Sequence, residues 1–258
     1  MNLTIRTPDN IPLSVSWNNY EKLKYFEYYQ TRNFSFIDEN ISKTGPTSVS
    51  DKLFLTVLRR KIKNKFARFI KTFGDVGQVN TIVCVGSGTS VLELFLSQYY
   101  KNATFYLIDK SEFNLTPESK LYTVGDNQNT VFQNSWDVLK DGITASNLDK
   151  KRFIMLDPTD EWPENIDIIH SEWSWAWHYS SSFYENQTLA KLRPNGRLGL
   201  SVLTIPDEAN SFIERMSVGF NDNPTIENIY LESDARTKHQ YPSNDVQTGG
   251  FYTWNNNN

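Results

Sequence analysis

The chain has 258 residues, a formal net charge of −4, 38% hydrophobic and 14% aromatic residues; that length can bury a continuous core, and that composition excludes intrinsic disorder. Mild acidity argues against a broad electrostatic footprint for nucleic acid, and a single cysteine, Cys84, excludes an internal disulfide framework or a cysteine-based zinc site. No run approaches the roughly 18 to 20 apolar residues of a membrane span, and "MNLTIRTPDNIPLS" lacks the layout of a signal peptide, so a cytoplasmic protein without a membrane partner is expected.

Apolar and aromatic residues at helical spacing predict helices over Trp17 to Tyr29 and Asp51 to Phe73. The intervening "SKTGPTSVS" reads as a loop, with Ser50 placed to cap the second helix. In that helix Arg59, Arg60, Lys61, Lys63, Lys65 and Arg68 interleave with Leu58, Ile62, Phe66 and Phe69. The pattern is that of a solvated basic face, with contact to an anionic substrate or nucleic acid as the alternative. Both helices are amphipathic and need a partner layer, so residues 1–77 read as a helical cap on a domain formed by residues 78–258.

After "GDVGQ" the period changes. Apolar runs at Thr81 to Val85, Phe105 to Ile108, Arg152 to Leu156, Ile166 to Ile169 and Leu198 to Leu203 alternate with helix-like stretches at Ser90 to Tyr100, Val131 to Leu139 and Ser182 to Leu192. Strands joined by helical crossovers make a parallel α/β sheet. The terminal "NNNN" reads as a frayed tail.

Gly86 and Gly88 follow the first of these strands and precede a helix, so the chain can reverse with no Cβ between its backbone and a ligand. Asp109 ends the next strand, where a carboxylate can accept hydrogen bonds from both hydroxyls of a ribose. The order strand, G-x-G, helix, strand, acid points to a nucleoside-containing cofactor; the alternative is a purely structural turn. Phosphate cradling has less support, because Val91 replaces the third glycine of G-x-G-x-x-G and no G-x-x-x-x-G-K-[ST] occurs.

Over roughly Val79 to Leu203, the segments "VCVGSGTS", "FYLIDKS", "FIMLDPTD", "IDIIHSEWSWAWHY" and "LAKLRPNGRLGLSVL" resemble a class I S-adenosylmethionine-dependent methyltransferase. The last is the most telling: Leu192, Arg193, Pro194, Asn195 and Gly196 take the places of that family's Leu-(Lys/Arg)-Pro-Gly-Gly turn, Asn tolerating the left-handed backbone nearly as well as Gly. The family's glycine motif opens on an acid and closes on a third small residue; here those places hold Cys84 and Ser90. The resemblance implies a Rossmann-like, doubly wound, mainly parallel seven-stranded sheet with an N-terminal helical extension, and S-adenosyl-L-methionine as cofactor. It puts Gly86, Ser87 and Gly88 under the methionine and ribose, Asp109 on the ribose, Lys110 beside the adenine and Asp157 on its exocyclic amine. Thr89 and Ser171 complete the cofactor-binding set. Asp157 reads equally as a turn aspartate before Pro158.

"HSEWSWAWHYSSSFY" leaves the strand at the carboxyl edge of the sheet, where the reacting centre is expected. Trp173, Trp175, Trp177 and Tyr179 could wall a dry pocket for a planar or sugar acceptor, or pack the loop onto the core. Transfer to oxygen needs a base. His178 is the first candidate, Glu172 competes with it, and His170 sits at the strand terminus. "SEWS" stands where amino-methylating nucleic-acid enzymes carry Asp/Asn-Pro-Pro-Tyr/Phe, and Cys84 is in the wrong strand for a cytosine C5 nucleophile. Methylation of an oxygen, less readily a nitrogen, of a small molecule or sugar is therefore expected, and the loop faintly resembles that of sugar O-methyltransferases. A non-catalytic scaffold with the same fold and an NAD(P)-dependent oxidoreductase are the rivals; for the latter, Tyr184 is followed by Thr188 where the short-chain type has Lys.

Overall fold

The computed structural model describes residues 1–30, 49–109, 136–172, 174–175, 182–202, 206–228 and 250–258. Its first elements are strands β1 (Asn2–Arg6) and β2 (Pro12–Ser16), paired antiparallel with Leu3 opposite Val15 and Ile5 opposite Leu13. All four of these side chains are buried on one face, as period-2 alternation requires. The sequence pattern predicts no element before the helix at Trp17, and this hairpin is added to it: five-residue runs that are half polar carry little apolar signal.

Helices α1 (Tyr20–Gln30) and α2 (Asp51–Phe73) follow. The Ser50 hydroxyl accepts from the Leu53 amide at 3.3 Å, so α2 starts where the sequence places its cap. Phe54, Leu58, Ile62, Phe66, Phe69 and Phe73 form its buried stripe. Then come β3 (Thr81–Val85), α3 (Val91–Tyr99), β4 (Thr104–Ile108), α4 (Trp136–Ala145), a 3-10 turn at Lys150–Arg152 and β5 (Phe153–Leu156). The chain continues with β6 (Ile166–Ser171), α5 (Glu185–Lys191), β7 (Leu192–Val202), α6 (Pro206–Phe220), β8 (Thr225–Asn228) and β9 (Gly250–Asn255).

The strands after β2 form a seven-stranded sheet in the order β5-β4-β3-β6-β7-β9-β8. The β4–β5, β3–β6 and β6–β7 pairs are parallel, and β9 runs antiparallel to both β7 and β8. This is a Rossmann-like, mainly parallel sheet whose strand order reverses at β3, which puts the topological switch point between β3 and β6.

By internal packing the chain divides into two compact units. The first holds β1, β2, α1, α2, α3, β4, α4 and β5. In it Phe66 meets Tyr99 edge-on at 5.8 Å and Phe69 meets Tyr100 at 6.0 Å, which seats α2 against α3. Arg152 ties the end of α3 to the strand that follows, donating to the carbonyls of Ser97, Tyr100 and Ala103.

The second unit holds β3, β6, α5, β7, α6, β8 and β9. Its core is aromatic: Trp175 packs on Tyr184 and Phe212, Tyr184 stacks on Trp162, and Phe212 reaches Trp254. Asn195 has φ +62, the left-handed turn expected before β7, and its amide donates to the Asn256 carbonyl at 2.7 Å. The terminal asparagines correct the expectation of a frayed tail. The Asn256 side chain donates to the Leu192 carbonyl, the Asn257 amide to Phe220, and the Asn258 side chain to Gly219. Asparagine side chains find backbone partners that a tail of apolar residues could not use.

Asp167 of β6 is 2% exposed and accepts from the amides of Asn80 and Thr81 at 2.7 and 2.8 Å, and from Arg193. Asp167→Ala leaves two amides and a guanidinium without their acceptor. A loss of about 3 kcal/mol of unfolding free energy is expected, measured by urea denaturation, because breaking a buried pair costs more than the pair itself contributes.

Candidate functional site

The turn after β3 alternates left-handed residues: φ is +72 at Gly86, +58 at Gly88 and +55 at Ser90. Glycine adopts that region freely, whereas at Ser90 it costs about 1 kcal/mol. Ser90 is also the N-cap of α3 and makes no side-chain cap, although its amide donates to the Ser87 carbonyl at 2.9 Å. Among the described residues the Ser87 and Ser90 hydroxyls are buried without a hydrogen-bond partner. Buried hydroxyls normally find partners, so two without one in a single turn set this turn apart.

In the first unit, Asp109 immediately follows β4, and its Oδ2 accepts from the Gly88 amide at 2.7 Å. The structure thus brings together two of the residues singled out from sequence, 21 positions apart. A carboxylate has acceptor capacity beyond one amide. Asp157 follows β5 and is exposed. Thr89 is 2% exposed, and its hydroxyl donates to Glu27 of α1.

Glu27 was not among the residues marked in the sequence. Its side chain is 3% exposed and accepts from Lys61 of α2 at 2.9 Å as well as from Thr89. Burial pushes its carboxyl up, but Lys61, the Thr89 hydrogen bond and Lys65 outweigh that and hold it below its ordinary value of 4.5. The available signal was phase: Glu27 lies four residues beyond Leu23, on the buried stripe of a helix whose other acids had no reason to be inside.

In the second unit, the segment after β6 comes up against Gly86. A Cβ on Gly86 would lie 2.0 Å from the Ser174 Cβ and 2.1 Å from its Oγ, so the backbone there has no room for any side chain. The Ser171 hydroxyl accepts from the Trp175 amide at 3.1 Å, and Trp175 is fully buried in the aromatic core. His170 is 4% exposed, beside Cys84 in the β3–β6 register, with its Nε2 3.8 Å from Glu172 Oε1. That distance is an ion-pair separation when the imidazole is protonated and too long for a hydrogen bond. Lys110, Trp173, Trp177, His178 and Tyr179 lie outside the described residues.

No protein-family model and no curated protein sequence matches the chain. Among solved structures it is similar to geranyl diphosphate methyltransferase in complex with GPP and sinefungin, with TM-score 0.49, 11% identity, and 78% of this chain and 81% of that one covered. It is similar to the cyclase SpnF, with TM-score 0.47 and 14% identity over 74% of this chain and 79% of that one. A candidate O-methyltransferase from Nostoc punctiforme aligns with TM-score 0.45 and 8% identity over 76% of this chain, which spans 56% of that protein's length. The activities named are those of the proteins that bear them.

Two predictions follow from the turn. Gly86→Ala meets both a left-handed backbone and the Ser174 side chain, so it is expected to cost about 3 kcal/mol as overpacking and strain add. Gly86→Ala combined with Ser174→Gly removes the clash and leaves the strain, recovering all but about 1 kcal/mol in chemical denaturation. Glu27→Gln is expected to destabilise the protein by about 3 kcal/mol at pH 7, because Lys61 loses a buried partner. The folded pKa of Glu27 lies below its unfolded value, so its ionised form stabilises fully above about pH 5 and less as pH falls. Denaturation midpoints of wild type and Glu27→Gln should therefore converge below about pH 4.

Proposed function

We propose that the chain is an S-adenosyl-L-methionine-dependent methyltransferase that methylates an oxygen of a small molecule or sugar. The observation that carries this reading is the Gly86–Ser90 turn: a left-handed backbone with no Cβ at Gly86 and Gly88, at the switch point of a parallel sheet, with two buried hydroxyls and the Asp109 carboxylate on the Gly88 amide. That set fits a ribose and a polar amino-acid tail better than a phosphate, which would want the third glycine that Val91 replaces, or a P-loop lysine.

The cofactor, when bound, supplies an electrophilic methyl on a sulfonium; the chain's own work is alignment and removal of the acceptor's proton. In this reading Asp109 accepts the ribose hydroxyls, Gly86, Ser87 and Gly88 lie under the ligand, and Lys110 and Asp157 belong to the adenine end. Thr89 and Ser171 act on the shape of the edge, through Glu27 and through the Trp175 amide. The acceptor wall is assigned to Trp173, Trp177 and Tyr179, with Trp175 as the root that fixes it in the core. His170 and Glu172 face each other inside the fold, which favours His178 as the base that takes the acceptor proton. Residues 1–77 are assigned the role of a cap on the cofactor edge, for which the Glu27–Thr89 contact speaks. No helix among the described residues is long and apolar enough to cross a membrane.

The test is a calorimetric titration with S-adenosyl-L-methionine and S-adenosylhomocysteine. Binding is expected, with about 2.7 kcal/mol of added stability at 100 times the dissociation constant. Asp109→Ala should lose roughly 2 kcal/mol of that affinity while remaining folded. Heat from NADH instead would sink the reading in favour of an oxidoreductase. With binding established, mass spectrometry of acceptor mixtures should find a +14 Da product (one methyl replacing one proton), and His178→Ala should slow its formation by about 10²- to 10⁴-fold. An unchanged rate in His178→Ala with a damaged Glu172→Gln would move the base to Glu172.

A further inference from the structure

We propose that Glu27 is a positioning residue of the glycine turn: reaching from α1, it fixes Thr89 and thereby the neighbouring Gly88 amide and the left-handed Ser90, so that the turn is formed before its ligand arrives. Three observations converge on it. Ser90 holds a left-handed backbone without a side-chain cap of its own, and such conformations persist only where their surroundings enforce them. The residue before it, Thr89, is buried and anchored through its hydroxyl to Glu27. Glu27 is held in turn by Lys61 at 2.9 Å, from a helix whose opposite stripe is locked into the core. The chain of contacts runs from Lys61 of α2, through a buried carboxylate, to the Thr89 hydroxyl inside the turn.

The choice of residue types argues for orientation and against mere packing. A buried ion pair stabilises no better than well-packed apolar residues of the same volume, and often less. Here the carboxylate nonetheless takes a hydrogen bond from the one turn residue between Gly88 and Ser90. Its charge is matched by Lys61 and Lys65, so Glu27 serves as a hydrogen-bond anchor and not as a countercharge for a cationic ligand. Preorganisation of this kind raises affinity by removing the cost of ordering the turn on binding. The ligand half of the inference rests on the cofactor reading of the turn; the anchoring half does not.

Hydrogen exchange on the full chain without ligand, for wild type, Thr89→Val, Thr89→Ser and Glu27→Gln, tests the anchor, and S-adenosylhomocysteine calorimetry on the same proteins tests its purpose. Thr89→Val keeps the shape and removes only the donor. It should speed exchange at the amides of Gly88, Thr89 and Ser90 by about tenfold while leaving β4 and the middle of α2 unchanged. Glu27→Gln should loosen the same three amides. S-adenosylhomocysteine affinity should fall about tenfold in Thr89→Val and return in Thr89→Ser, which keeps the hydroxyl. Unchanged exchange at the turn in Thr89→Val overturns the proposal, as does a loosened turn with unchanged affinity. Exchange in Thr89→Val that rises uniformly across α2 and β4 would make the contact a general packing element and overturn it too. A wild type that binds no S-adenosylhomocysteine would remove the cofactor reading, and turn-confined loosening would then still uphold the anchor.

Discussion

The carboxyl end of this sheet depends on one backbone constraint: the chain must leave β3 and enter α3 within five residues. It does so by placing alternate residues, Gly86, Gly88 and Ser90, in the left-handed region. Two of the three positions are glycine, where the conformation has no steric cost, and the third is a serine that must be held. Everything near the turn answers to that geometry. Gly88 offers its amide to Asp109, Ser174 occupies the space a side chain on Gly86 would need, and Thr89 is tied down beside the strained Ser90.

Three polar side chains that are wholly or partly buried, Asp167, Arg152 and Glu27, sit where chain segments meet and are satisfied by backbone or by an opposite charge. Asp167 closes the amides that lead into β3, Arg152 collects three carbonyls at the end of α3, and Glu27 links α1 and α2 to the turn. Net contributions of single hydrogen bonds are only about 1 kcal/mol, so these groups do not supply the bulk of stability. That comes from the aromatic cores, Phe66 and Phe69 against Tyr99 and Tyr100 in one unit and Trp175, Tyr184 and Phe212 in the other. These polar groups instead fix how the segments meet, and at Glu27 the segment fixed is the turn between β3 and α3.

Much of the sheet was legible because its strands are continuous apolar runs between helices of clear period, and Gly86, Gly88 and Asp109 could be singled out as a candidate set by their order along the chain. The structure places Asp109 on the Gly88 amide, a contact that no spacing rule specifies. What was not legible is tertiary in origin. The β1–β2 hairpin has too few apolar residues to announce itself, and the terminal asparagines look like low complexity until their partners at Leu192, Phe220 and Gly219 are in place. Glu27 looked like one more surface acid. Its role follows from a Lys61 that lies 34 residues away and from a Thr89 that lies 62 residues away.

The division of labour along the segment after β6 follows from the same constraint. Its root is immobilised three times over: Ser171 by the Trp175 amide, Ser174 against the Gly86 backbone, and Trp175 in a core shared with Tyr184 and Phe212. A root held this firmly cannot change without disturbing the turn itself, because substitutions at Ser174 are read directly by Gly86. In the reading proposed above this root belongs to the cofactor edge, so a substitution at Ser174 should be felt there first, and variation that spares the sheet is how one fold serves many substrates.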